Sequence, residues 1–431
     1  MNTNYRNRLA ALGILALAAC STNSQAPQLS LGAPVADSAR MLADISYLAS
    51  DRLEGRLTGT PGNDSAAAYI ARRYEALKLK APFPGYIQKF VARSAAAAHT
   101  GDTAGKPTQN VVAIIEGTDP ALKNDYVLIG AHYDHLGRST VSALDPDARD
   151  AIRNGADDNA SGTAAVLELA RIFSIERPKR SIIFVNFSGE EQGLLGSQYF
   201  VDNPPVPITR IKAMLNFDMV GRMKDNEVMV FGTATATELP PLIDSANARG
   251  IPLRVRGSGD GFGSSDHSSF YAKEIPVLHF FTDLHADYHR ATDDIDKINL
   301  SGQARIVDFA YRLADMIEEQ PAPLTYVRST APSRAIGSGQ GSQTYLGSIP
   351  DMAASETPGL RLTGVRAGSP ADSGGLKPGD IIVEFAGKPV TDLYTYSEAL
   401  YGQKPGDTIR IVYLRDGKRA ETTVTLGKRG G

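Results

Sequence analysis

Ser181-Ile182-Ile183-Phe184-Val185-Asn186-Phe187-Ser188-Gly189-Glu190-Glu191-Gln192-Gly193 reads as a buried strand running straight into a pair of carboxylates. A short run rich in apolar, β-branched and aromatic residues suits a sheet covered on both faces, and the glycines flanking the acids mark a turn. Open α/β sheets hold ligands in the crevice beyond the carboxyl ends of their strands, so Glu190 and Glu191 stand where chemistry would be expected. Adjacent carboxylates repel one another. They are compatible there if one binds a cation while the other acts as a base; a solvated turn with helix-start charges is the plainer alternative.

Runs of the same kind recur at 111–116, 126–131, 211–217 and 276–281, and they alternate with helix-period segments at 65–79, 162–173, 239–248 and 300–319. Ala165, Leu169 and Ile172 show the helical spacing. This alternation predicts an α/β body, a mixed sheet sandwiched by helices, from residue 41 to 322. A Pro- and Gly-rich stretch at 323–341 lacks hydrophobic periodicity and reads as a linker, with a second small domain at 342–428.

The 431 residues are 42% hydrophobic and 22% charged, enough for two or three globular domains. No apolar run approaches the ~20 residues of a membrane-spanning helix. With 45 Lys and Arg against 48 Asp and Glu, the net charge of −3 offers no electrostatic case for binding nucleic acid. One Cys excludes an intramolecular disulfide framework and any Cys-based zinc cluster, so metal chemistry must rest on His and carboxylates. That Cys has a reading of its own. Arg6 and Arg8 precede an apolar stretch at 9–19, and Leu17-Ala18-Ala19-Cys20 resembles the lipobox of bacterial lipoproteins. The expectation is a signal peptide at 1–19, lipidation at Cys20, a tether at 20–40, and an exported, membrane-anchored protein on the outer membrane facing the periplasm.

Four further motifs follow or end predicted strands. His132-Tyr133-Asp134 is either a strand-end ion pair or a metal-binding imidazole with its orienting carboxylate. Gly155-Ala156-Asp157-Asp158-Asn159-Ala160-Ser161-Gly162 precedes a helix, where acids and Asn also serve as caps. A calcium loop is rejected there, because its second half would have to be helix and no amphipathic helix enters it. Asn216-Phe217-Asp218 and Tyr288-His289-Arg290 add a carboxylate and an imidazole. The charges close: Asp157, Glu191, Asp218 and a shared hydroxide balance two divalent cations, with His132 and His289 neutral.

The order and spacing of these motifs, from about residue 44 to 294, resemble the co-catalytic zinc aminopeptidases, a family that includes bacterial leucyl-type aminopeptidases and glutamate carboxypeptidases. The resemblance implies two zinc ions, with Mn or Co as possible substitutes. It makes Asp157 the bridging carboxylate, pairs Glu191 and His289 on one ion, and His132 and Asp218 on the other. Glu190 becomes the general base, Asp134 the partner behind His132, and His267 a substrate-side residue. Some members carry a Tyr where this chain has Ser264. Glutaminyl cyclases share the fold with one zinc, and five retained ligands argue against that branch. No Gly-x-Ser-x-Gly elbow supports a serine hydrolase.

Gly368-Ser369-Pro370-Ala371 and Gly374-Gly375-Leu376-Lys377-Pro378-Gly379-Asp380 resemble a bacterial PDZ domain, with Tyr345-Leu346-Gly347 as its carboxylate-receiving loop. Pro350, on the expected peptide-pairing strand, has no N–H to donate, so a peptide C-terminus as ligand and a purely structural role both stay open. The combined expectation is a lipid-anchored aminopeptidase acting on peptides. A PDZ-based binding lipoprotein with an inactive hydrolase domain, or a hydrolase of a non-peptide amide, are the alternatives.

Overall fold

The computed structural model describes residues 1, 35–93, 105–140, 142–145, 147–257, 259, 261, 263–328, 344–350, 359–365, 368–391, 395–396, 399–400 and 402–428. The expectations for Cys20, the signal peptide and most of the tether fall outside these residues.

Eight strands build the first sheet: β1 (Ile87–Ala92), β2 (Lys106–Ile115), β3 (Tyr126–His132), β4 (Ser181–Phe187), β5 (Ile211–Phe217), β6 (Glu227–Phe231), β7 (Arg254–Arg256) and β8 (Val277–Phe281), in the order β1-β2-β4-β3-β5-β8-β6-β7. β4, β3, β5 and β8 are mutually parallel, while β2 runs antiparallel to β4, β6 runs antiparallel to β8, and β7 pairs with β6 in parallel. The sheet is therefore mixed. β3 lies between β4 and β5, so the connections from β3 to β4 and from β4 to β5 run in opposite directions, which opens a crevice at the carboxyl edge of the parallel strands.

The strand residues alternate between two cores, as a two-residue period requires. Val127, Ile129 and Ala131 of β3 face one core and Leu128 the other; Ile182 and Phe184 of β4 face the first, Ile183, Val185 and Phe187 the second. Helices Ser38–Leu48, Pro61–Ala76, Gly162–Glu176 and Leu300–Glu318 supply the first core, and Leu195–Asp202 and His267–Tyr271 the second. Local chemistry sets their starts. Asp37 accepts hydrogen bonds from the amides of Ala39 and Arg40, Thr60 caps a helix with Pro61 in its first turn, and Asn299 accepts from Gly302.

Two boundaries differ from the sequence reading. The amides of Ala36 and Asp37 are bound by Asp308 and Glu168, so the last residues assigned to the tether already pack on this body. At the other end Leu324 is buried, and 325–327 pairs with 235–237 through Thr237 N to Thr325 O (3.2 Å) and Val327 N to Thr235 O (2.8 Å). The body thus extends through part of the stretch read as linker, because the few apolar residues after Pro323 (Leu324, Tyr326 and Val327) are too short a run to show a period.

The second body has its own core, including Leu346, Leu362, Leu376, Ile382, Phe385, Ile411 and Val424. Its strands are β9 (Thr344–Tyr345), β10 (Ser348–Pro350), β11 (Leu360–Val365), β12 (Ile381–Phe385), β13 (Lys388–Pro389), β14 (Thr408–Arg415), β15 (Lys418–Thr425) and β16 (Gly427–Lys428). β10-β11-β12-β14-β15 form an antiparallel path with β10 at its edge. Asp380 accepts a two-pronged contact from Arg415, with both N···O distances 2.7 Å, fixing the turn before β12.

Candidate metal centre

His132 is the last residue of β3, and in register it lies beside Phe187 of β4, so the acids after β4 emerge next to it. Its Nδ1 faces the Asp134 carbonyl at 3.2 Å and the Asp134 carboxylate at 3.7 Å. A proton on Nδ1 leaves Nε2 to face the crevice, where Asp158 Oδ1 and Asp218 Oδ1 are each 3.4 Å away and Glu190 Oε2 is 4.0 Å away. Asp134 does two other things: it accepts from Thr58 Oγ1 at 2.9 Å and from the Glu190 amide at 3.2 Å, which positions the backbone of the paired acids.

On the other side, His289 Nε2 lies 3.2 Å from Asp158 Oδ2 and 3.1 Å from Glu191 Oε2. The two oxygens of Asp158 therefore face different imidazoles. Glu191 is held by a third one, His135 Nδ1, at 2.7 Å from Oε1. Asp218 Oδ2 accepts from Ser265 at 2.8 Å, leaving Oδ1 toward His132.

This geometry corrects the assignment of Asp157. Asp157 accepts from the Gly221 amide (2.7 Å) and Ser161 (2.9 Å), and its Oδ2 is 3.2 Å from His285, away from the cluster. Asp158 takes the central place. Gly155 opens the turn at φ +58°, and a side chain there would meet Asp158 O at 2.0 Å and the His135 ring at 2.5 Å. The amides of Asp157 and Asp158 both donate to Asp293 Oδ2 at 3.0 Å, and the chain then runs through non-helical conformations at Asp158 and Asn159. The two acid side chains consequently diverge. Asn159 ties the turn to β5 by donating to Phe217 O (2.9 Å), and Gly162 admits that approach because a Cβ there would be 2.3 Å from the same carbonyl.

His267 also stands elsewhere than expected. It is 1% exposed, stacked on His279 with centroids 4.4 Å apart, and its nitrogens have no hydrogen-bond partner among the described residues. Burial holds its pKa well below the ordinary histidine value, so it is a neutral ring packed beneath the site rather than a side chain facing substrate. Part of its loop, at 258, 260 and 262, lies outside the described residues.

Residues that the motif reading passed over complete the site. His135 is adjacent to Asp134, and a second His in the same run was the available signal. Arg56 is fully buried and donates to the carbonyls of Tyr133 (2.7 Å), Asn154 (2.7 Å) and Gly155 (3.0 Å), clipping together the loops that carry His132 and Asp158. Burial lowers its pKa to about 10, against the pull of Asp134 and Asp158, and it stays charged at neutral pH. Asp266 is buried, and desolvation raises its carboxyl to about 7.

The donor set fits two divalent cations. Burial raises Asp158, and the neighbouring Glu191 raises it further. Burial opposes a proton on His132 and on His289, yet the carboxylates of Asp218 and Glu190 around the first, and of Glu191 and Asp158 around the second, outweigh it and lift both well above the ordinary value. A field that holds protons on buried imidazoles also favours cations in their place. His132 with Asp218, and His289 with Glu191, would each hold one ion, sharing Asp158.

The profile of peptidase family M28 matches residues 110–314, and that of the PDZ domain matches 345–426. The chain is thus similar to family M28 peptidases over residues 110–314 and to PDZ domains over residues 345–426. The peptidase domain is 36% identical over 152 residues to a "probable zinc metalloprotease" of Pyrenophora teres f. teres, covering 35% of this chain and 31% of that protein. It is 30% identical over 275 residues to leupeptin-inactivating enzyme 1 of Streptomyces exfoliatus, covering 63% and 54%. The chain thus spans about a third to a half of these relatives' length. In fold it resembles the zinc aminopeptidase BSAP of Bacillus subtilis, with a TM-score of 0.54 at 19% identity, covering 69% of this chain and 99% of that one. The mixed sheet and helical layers expected from the sequence agree with that neighbour.

Proposed function

We propose that this protein is a two-metal exopeptidase that releases residues from the amino ends of peptides. The observation that carries the reading is Asp158, whose oxygens face different imidazoles while Glu190 stands beside the cluster at a longer distance. Two divalent ions bound there would polarise the scissile carbonyl and lower the pKa of water so that it can be deprotonated for attack. Glu190 Oε2 would take the proton from the attacking water and pass it to the leaving amide nitrogen. Asp134 holds the backbone of Glu190, His135 holds Glu191, and Ser265 holds Asp218, so the reacting groups keep their places without rearranging. The names of the relatives and of the fold neighbour support a zinc peptidase and, more narrowly, an aminopeptidase.

Full-length protein should contain close to two zinc ions per chain by elemental analysis, hydrolyse an aminoacyl amide, lose that activity to a chelator and regain it with zinc. A chain ending after Arg328, which retains the 325–327 pairing, should behave alike on this smallest substrate. Absence of metal in the full chain, or hydrolysis indifferent to chelation, would overturn the reading.

For the PDZ domain we assign a role in holding peptides rather than in chemistry: β10 lies at a sheet edge where an extended peptide could add, beside Tyr345-Leu346-Gly347. We also propose anchoring through Cys20. Cys20→Ser should move the exported protein from the membrane to the soluble fraction or leave it unprocessed; membrane association without lipid at this position would reject the anchor.

A further inference from the structure

The excursion between Gly137 and Arg153 is closed at its base by the Arg153 amide, which donates to Gly137 O at 2.9 Å. It does not lie idle on the surface. Its Ser142 carbonyl is 2.9 Å from His289 Nδ1, its Leu144 amide donates to His289 O at 3.0 Å, and Asp145 Oδ2 accepts from the Ala291 amide at 2.8 Å. Three successive contacts thus grip the segment 289–291 from the side opposite the carboxylates. His289 itself has φ +54°, a left-handed conformation that a non-glycine residue holds only when its surroundings impose it.

What keeps the excursion in shape is Arg153, whose side chain is 0% exposed. Its Nε donates to Asp145 Oδ1 at 2.7 Å, and its terminal nitrogens donate to the carbonyls of Ser139 (3.2 Å), Asp145 (2.9 Å) and Ala148 (3.3 Å). Asp145 is the joint: one oxygen engages Arg153 and the other engages Ala291. A metal-binding imidazole needs its second nitrogen fixed by an acceptor so that the first presents its lone pair in one direction. Here the acceptor is a backbone carbonyl on a loop whose described residues lie in no helix or named strand, so its position depends on this clasp.

We infer that the Gly137–Arg153 excursion is a strap that holds His289 in ligand geometry, and that Asp145 and Arg153 are positioning residues for only the half of the metal centre served by His289 and Glu191. The inference rests on the two-metal reading above. His132 and Asp218 receive their support from Asp134 and Ser265, which the strap does not touch among the contacts described, so the two halves should respond differently.

The test is zinc titration of metal-free full-length protein, by calorimetry with a competing chelator, for the unaltered chain and for Asp145→Ala. One of the two zinc affinities should fall about 10–100-fold while the other is unchanged. Asp145→Asn, which keeps shape but loses charge, should give a smaller fall in the same ion and serves if the Ala variant does not fold. A merely structural role would weaken both ions together, and that result, or two affinities equal to those of the unaltered chain, overturns the strap. Failure of the unaltered chain to bind two ions would instead reject the two-metal reading.

Discussion

Glu190→Gln should leave zinc content near two per chain and lower kcat by about 10²–10⁴-fold. The glutamine keeps the shape of the side chain and removes its capacity to accept a proton. Glu190 is suited to the base role by position: its Oε2 is 4.0 Å from His132 Nε2, against 3.4 Å for Asp158 and Asp218, and its amide is anchored by Asp134. Its environment agrees. Burial raises its carboxyl well above the ordinary value, with Glu191 and Asp218 adding to the effect and His132 opposing it, the direction expected of a group that must take up a proton. Glu191, next in sequence, is the contrast, because His289 and His135 overcome burial and hold it ionised as a ligand should be. Metal content and kcat for an aminoacyl amide decide the matter. Loss of an ion would make Glu190 a ligand, and an unchanged kcat would remove it from the chemistry.

The parts of the fold that could be read in advance are those whose side-chain pattern is set by burial on both faces. β4 and β5 are mostly apolar and almost wholly buried, and the sequence bounds them at 181–187 and 211–217, as the structure does. β1 and β7 lie at the two sheet edges and mix apolar with polar residues, so neither offers such a run. The clustering of acids and imidazoles at strand ends was likewise legible, because parallel neighbours bring their carboxyl ends to one edge. The direction of an individual side chain in an irregular turn was not. Nothing in Asp157-Asp158 distinguishes the two acids until Asp293, distant in sequence, takes both of their amides. His267 is a similar case: its burial against His279 depends on a strand and a short helix meeting across the second core.

That ambiguity makes the sharpest comparison. Asp158→Asn should cost both ions, since one carboxylate serves His132 through Oδ1 and His289 through Oδ2, and an amide offers one neutral oxygen in place of two charged ones. Zinc content should fall from about two toward zero at concentrations that saturate the unaltered protein, with activity falling at least as steeply as for Glu190→Gln. Asp157→Asn asks a different question. Its Oδ1 accepts from Gly221 and Ser161, bonds an amide oxygen can keep, while the charge opposite His285 is lost. The expected result is retention of both ions with affinities weakened by no more than about 10–100-fold, the range for a residue that supports ligands without touching metal. Were Asp157→Asn to strip both ions while Asp158→Asn kept them, the centre would have to be rebuilt around the turn's other acid, and with it the division of labour between Glu190 and Glu191.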